Sequence, residues 1–201
     1  MINPLKEAAR GLHNAFVQSR KKEGGKVVGY SCTFIPEEIL HAAGVLPFRL
    51  RGIGTASMSI GDSYFGAVNC SLPKCVLQLA GQGAYNFLDG AIITNGCDSM
   101  RRLEECWRKA SEDYPGTLPE YYEYFSVPHK SVDYSIEFYK EVLNGMIETL
   151  EKHFNVKISE ESLRKSIKLY NEGRACLQEL DALRQGQNVP ISGEDAMAVL
   201  I

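Results

Sequence analysis

Residues 87–102 read FLDGAIITNGCDSMRR, and their reading decides the fold. FLDGAIIT is an apolar run of strand length, β-branched at its centre, as expected of a strand buried on both faces of a parallel sheet. The residues after it change period at once. Met100, Leu103, Trp107 and Ala110 in SMRRLEECWRKA fall at helical spacing, so a strand, a short loop and a helix follow in order. Working outward, the same order recurs. KVVGYSCTF reads as a strand, Pro36 opens a short helix over EEILHAAGV that Gly44 closes, VLPFRL is a second strand, and LPKCVLQLAGQG is a helix. Alternating strands and helices predict a parallel sheet flanked by helices.

The flanks are simpler. An amphipathic helix is expected over about residues 4–22, ended by Gly24 and Gly25. RGIGTASMSIGDSYFGAVNC has no period and reads as a long loop, of the kind that often carries function. YEYFSVP is a further strand. Beyond it the chain turns helical through SVDYSIEFYKEVLNGMIETLEKHF and SEESLRKSIKLYNEGRACLQELDALRQ. ISGEDAMAVLI begins as a helix with Ser192 as N-cap and Asp195 at the capping-box position. Its apolar stop predicts a piece of a longer chain. The division expected is residues 1–130 as an α/β domain and 131–201 as a helical segment leading to a further domain.

Composition narrows the function. The 201 residues carry a formal charge of -3, so nothing draws the chain to nucleic acid or to an anionic membrane. No apolar run reaches the ~20 residues of a membrane span, and MINPLKEAARGL lacks the apolar core of a signal peptide. A cytoplasmic address is expected. Six cysteines are far below the roughly 8% of a disulfide scaffold, and in that compartment they stay reduced. Cys106 and Cys176, inside helical patterns, read as packed thiols.

Three other cysteines lie near the carboxyl edge of the expected sheet, where open parallel sheets bind ligands. Cys32 follows KVVGY, Cys97 follows FLDGAIIT, and Cys70 precedes the helix at SLPKC. Unpaired N–H groups at a helix N-terminus favour the thiolate, the form that ligates soft metals. Paired CxxC spacing is absent, which argues against a structural zinc site. A metal or iron–sulfur cluster held from separate loops, an unligated packed thiol, and a nucleophile with His41 as its base all remain open. His41 sits in an apolar helix and reads as a core histidine. Neither GxGxxG nor a Walker frame occurs. Arg101 and Arg102 open the helix after Cys97, where they face a phosphate, Asp98 or solvent. Tyr121, Tyr122 and Tyr124 read as packing or interface residues. Asp98 reads as the cap of a helix beginning at Ser99.

Taken together, VVGYSCTFIPEEILHAAGVLPFRLRG (27–52), NCSLPKCVLQLAGQGAYNFLDGAIITNGCDSMRRLEECW (69–107) and VPISGEDAMAVL (189–200) resemble the 2-hydroxyglutaryl-CoA dehydratase component D family. That family includes 2-hydroxyacyl-CoA dehydratase and benzoyl-CoA reductase subunits. The resemblance covers about residues 24–110 and returns at the C-terminal end. It implies a flavodoxin- or Rossmann-like α/β fold with a helical appendage, as the N-terminal part of a longer two-domain subunit. It also implies a [4Fe–4S] cluster held by three cysteines from separate loops. Cys70 and Cys97 match two of the ligands, Cys32 a position that varies in the family, and the third ligand lies in the C-terminal half. Ser31 and Thr33 match the segment near the substrate's hydroxyl and thioester. The implied activity is one-electron reduction of an acyl-CoA thioester, whose ketyl radical expels a hydroxyl in the dehydratases; the reductases reduce an aromatic ring. An iron–sulfur electron carrier that binds no acyl-CoA and a cluster-free scaffold are the alternatives. The implied partners are a related second subunit, an ATP-hydrolysing iron–sulfur activator protein and the acyl-CoA substrate.

Overall fold

Four strands, β1 (Lys26–Tyr30), β2 (Val45–Arg49), β3 (Gly90–Thr94) and β4 (Tyr121–Phe125), line up in the order β2-β1-β3-β4, every pair parallel. They come from a computed structural model of the chain, which describes residues 3–187 and 189–200. Helix α3 (Glu37–Ala42) joins β1 to β2. The short α4 (Ser59–Tyr64) and α5 (Ser71–Gly81) lie between β2 and β3, and α6 (Asp98–Asp113) joins β3 to β4. This is the expected α/β fold with a parallel sheet flanked by helices.

Strand alternation sends Val27, Ala91 and Ile93 to one face and Val28, Tyr30 and Ile92 to the other. The first set packs with Val76 and Leu77 of α5 and with Leu103 and Trp107 of α6. The second packs with Leu40 of α3 and with Met146 and Leu150 of α7 (Asp133–Phe154). Each of the valine, leucine, isoleucine and methionine side chains contributes about 1.5–3 kcal/mol by burial, so the sheet is held from both sides. Beyond α7, α8 (Glu160–Ala182) packs on α3, and α9 (Gly193–Leu200) packs on the first helix, α1 (Asn3–Arg10). Lys6 bridges Asp195 at 2.6 Å there, and Ser192 Oγ accepts the Asp195 N–H at 3.1 Å as a cap should. No helix among the described residues is long and apolar enough to cross a membrane.

Two elements differ from the sequence expectation. The single N-terminal helix is broken into α1 and α2 (Ala15–Lys22). Asn14 caps α2 by accepting the Val17 N–H at 3.0 Å, while Arg51 donates to the carbonyls of Ala9 (3.0 Å) and Gly11 (2.7 Å). An apolar pattern that runs through both helices conceals a break stabilised by an arginine forty residues away. The stretch read as loop contains α4, whose first amides are satisfied from outside. The buried Gln78 side chain accepts the N–H groups of Ile60 (2.7 Å) and Gly61 (3.1 Å). A Cβ at Gly61 would stand 2.5 Å from the Lys74 carbonyl oxygen, a backbone atom with little freedom to yield. Gly61→Ala is therefore expected to cost about 1–3 kcal/mol, read as a lower urea midpoint with an unchanged slope.

Candidate functional site

The sheet reverses its winding between β1 and β3. From β1 the chain leaves toward α3 on one face, and from β3 toward α6 on the other, which makes the carboxyl edge between them the crevice position of an open α/β sheet. Ser31 closes its floor. It is buried, its N–H donates to the Ile92 carbonyl at 3.1 Å, and its hydroxyl oxygen accepts the Thr94 N–H at 3.1 Å. That pairing extends the β1–β3 ladder by one residue and anchors both loops. Cys32, half-buried, comes next, and then Thr33, exposed and without a hydrogen-bonded hydroxyl among the described residues. Gly96 faces them across the crevice. A Cβ on it would lie 3.2 Å from Cys32 Sγ and 3.1 Å from the Phe34 ring, closer than such contacts normally come. The glycine lets the Cys32 thiol sit against the backbone leading into Cys97.

Cys97 is the N-cap of α6, in extended backbone with φ -158°, and its carbonyl accepts the Arg101 N–H at 2.9 Å. Cys70 is the N-cap of α5. Neither side chain caps its helix, and both cysteines are exposed. The two helix starts are joined directly, because the Cys70 N–H donates to Ser99 Oγ at 3.3 Å. Cys70 and Cys97 are thus brought to neighbouring helix N-termini, with Cys32 beside the backbone of the Cys97 loop. The first-turn amides of both helices offer N–H groups and a positive dipole end to whatever anionic sulfur lies there. Among the described residues no three His, Cys, Asp or Glu side chains stand close enough to hold a metal ion. Soft donors on separate loops, unengaged and open to solvent, suit an iron–sulfur cluster that takes further ligands from elsewhere.

The other cysteines and His41 stand in different surroundings. Cys106 is buried in α6 beneath the Tyr64 carbonyl, and burial pushes its thiol pKa up. Cys75 is half-buried, with Sγ 3.5 Å from Met58 Sδ. Cys176, expected to be packed, is exposed on α8 because that helix covers α3 with another face. His41 is likewise no core residue. Its Nδ1 lies 2.8 Å from Ser166 Oγ of α8, and it lines an open groove with Tyr170 and Arg174. Asp98 is the first residue of α6, so it favours the helix by its charge at the N-terminus while the cap position belongs to Cys97.

Beside Cys97 opens a cleft of about 430 Å³ lined by Asn95, Asp98, Arg101, Tyr124 and His129. Asn95 builds its wall. Its side chain accepts the Val127 N–H at 2.7 Å and donates to the Val127 carbonyl at 3.1 Å, fastening the chain after β4 to the end of β3. Arg101 makes no ion pair among the described residues, although it lies near Tyr124, whose phenol pKa burial raises against the arginine's opposing charge. Sequence reasoning passed over Asn95 and His129. The signal for Asn95 was its place two residues before Cys97; none marked His129, which the fold brings from beyond β4.

A family model described as 2-hydroxyglutaryl-CoA dehydratase, D-component, matches residues 32–201. The chain is 32% identical over 177 residues to one of the subunits of the benzoyl-CoA reductase of Thauera aromatica, covering 87% of this chain and 44% of that protein. It is 30% identical to the (R)-phenyllactyl-CoA dehydratase beta subunit of Clostridium sporogenes, over 90% of this chain and 47% of that one. With the beta subunit of the lactoyl-CoA dehydratase of Anaerotignum propionicum it shares 29% identity, over 89% and 46%. The chain spans about half the length of these curated relatives.

Proposed function

The chain belongs to the 2-hydroxyglutaryl-CoA dehydratase D-component family, and from that premise we propose that it is part of a subunit of a radical 2-hydroxyacyl-CoA dehydratase. In this reading Cys70 and Cys97 are ligands of a [4Fe–4S] cluster, Cys32 is the adjacent thiol, and remaining ligation comes from outside the described residues. The observation that carries it is the pair of exposed, uncapped N-cap cysteines on adjoining helices at the switch point of the sheet. When bound, the cluster supplies single electrons to the thioester carbonyl of an acyl-CoA. The chain's own residues do the rest by placement. The helix starts put unpaired backbone amides next to both cysteines, Ser31 holds the two crevice loops together, and Thr33 presents a hydroxyl without a partner among the described residues. Arg101 and His129 offer positive or hydrogen-bonding groups beside Cys97. A related second subunit and an ATP-hydrolysing iron–sulfur activator complete the system, in the cytoplasm of an anaerobe.

A ring-reducing role shares the same one-electron chemistry and is favoured by the 32% identity to a benzoyl-CoA reductase component. One experiment separates the readings. The full-length subunit and its partner are purified anaerobically and given activator, ATP and reductant, then either a 2-hydroxyacyl-CoA or benzoyl-CoA. Release of water to form a 2-enoyl-CoA is the expected result; ring reduction selects the second reading. A cluster-bearing complex that turns over neither substrate is an electron carrier, and the proposal is then wrong.

A further inference from the structure

The loop leading to Cys70 has little to hold it. Gly66, Ala67 and Val68 are exposed, with Val68 at 99%. As an N-cap residue, Cys70 has no intrahelical partner for its own N–H. Ser99 provides one. Its oxygen accepts that N–H at 3.3 Å across a sequence separation of 29 residues, and no other hydrogen bond among the described residues links 66–71 to 95–102. Ser99 is also the second residue of the helix that Cys97 caps. A single hydroxyl therefore ties one candidate ligand loop to the start of the other ligand's helix. Its O–H hydrogen has no acceptor among the described residues, so it remains free to donate.

We propose that Ser99 is the positioning residue that sets the Cys70 and Cys97 thiols relative to one another and donates a hydrogen bond to ligand or cluster sulfur. The proposal rests on the cluster reading above. The physical warrant is general. Outer-shell partners that orient metal ligands are worth about 10–100-fold in metal affinity, and hydrogen bonds to sulfur tune the reduction potential of iron–sulfur centres. A purely structural role predicts something different. Alanine has the higher helix propensity, so Ser99→Ala gains in α6 part of what it loses with one exposed hydrogen bond, and its fold should hold.

The test uses the anaerobically purified holoenzyme and two readouts besides turnover, the rate of iron loss to a chelator and the midpoint potential of the cluster. Ser99→Ala is expected to lose iron about 10-fold faster than the natural protein and to show a shifted potential. Ser99→Thr, which keeps the hydroxyl, should return both toward the natural values. Unchanged iron loss and unchanged potential in Ser99→Ala overturn the proposal while leaving the cluster reading intact. A natural protein that retains no iron removes the cluster reading, and this proposal with it.

Discussion

Serine at position 97 is expected to lower iron retention in the full-length subunit by more than about 100-fold, beyond the 10–100-fold loss typical of an outer-shell partner. Turnover should fall with it. Protein stability should move the other way. Cys97 is an exposed N-cap whose thiol leaves the first-turn amides of α6 unpaired, and serine is among the best residues for that position. Cys97→Ser should therefore unfold at the same or a higher urea concentration while failing to hold metal. A packed thiol would behave in the opposite way, since its loss destabilises the fold and affects iron only through unfolding. Cys70→Ser follows the same logic at α5. Cys176→Ser is the control: it sits exposed on α8, which packs on α3 and not on α5 or α6, and should leave iron content unchanged. Iron counted in Cys97→Ser at the natural level would remove Cys97 from the ligand set.

The other large effect lies at the opposite end of the sheet, at Asp89 in FLDG. Its carboxylate accepts the Val27 N–H at 2.9 Å and pairs with Lys21 at 2.8 Å and Lys26 at 3.1 Å, joining α2, β1 and the entry to β3. Lys26 is about half exposed and Lys21 about a third, so solvent screens both pairs and each contributes about 1 kcal/mol or less. The charge-assisted bond to Val27 is worth about 1.5–3 kcal/mol. Asp89→Ala should therefore cost on the order of 3 kcal/mol, read from chemical unfolding at neutral pH. Burial opposes the charged carboxylate, but the two lysines and the Val27 amide outweigh it and hold its pKa below the usual carboxylate value. The sign follows from linkage. A depressed folded-state pKa contributes stability that is complete above the unfolded-state value and is lost as the pH falls through the folded one. The difference between the natural protein and Asp89→Asn should thus be constant near neutrality and shrink only in acid below about pH 4. A difference that shrinks on raising the pH would rule out this account.

The sequence was sufficient for the parts of this protein set by local pattern. FLDGAIIT reads as a strand buried on both faces because parallel strands covered by helices lose their alternation, and β3 is buried at all five positions. The change of period after it placed Cys97 at a helix start, and SLPKC did the same for Cys70. Chain order with parallel strands was enough to put both at one sheet edge, and the quoted segments carried the family. What lay beyond reach depends on contacts between distant residues. The break between α1 and α2 is fastened by Arg51, and α4 is held by Gln78. In neither case does the segment's own period announce it. The helical stretch after residue 131 gave no sign that Met146 and Leu150 of α7 would enter the core under the sheet. The same holds at the site. Only the strand order β2-β1-β3-β4 sets Cys32 against Gly96, and only the packing of α5 on α6 lets Ser99 reach Cys70. Periodicity reports which face of an element is buried; which neighbour buries it is settled when long-range pairing meets its loop-closure cost, and that choice is made by the whole fold.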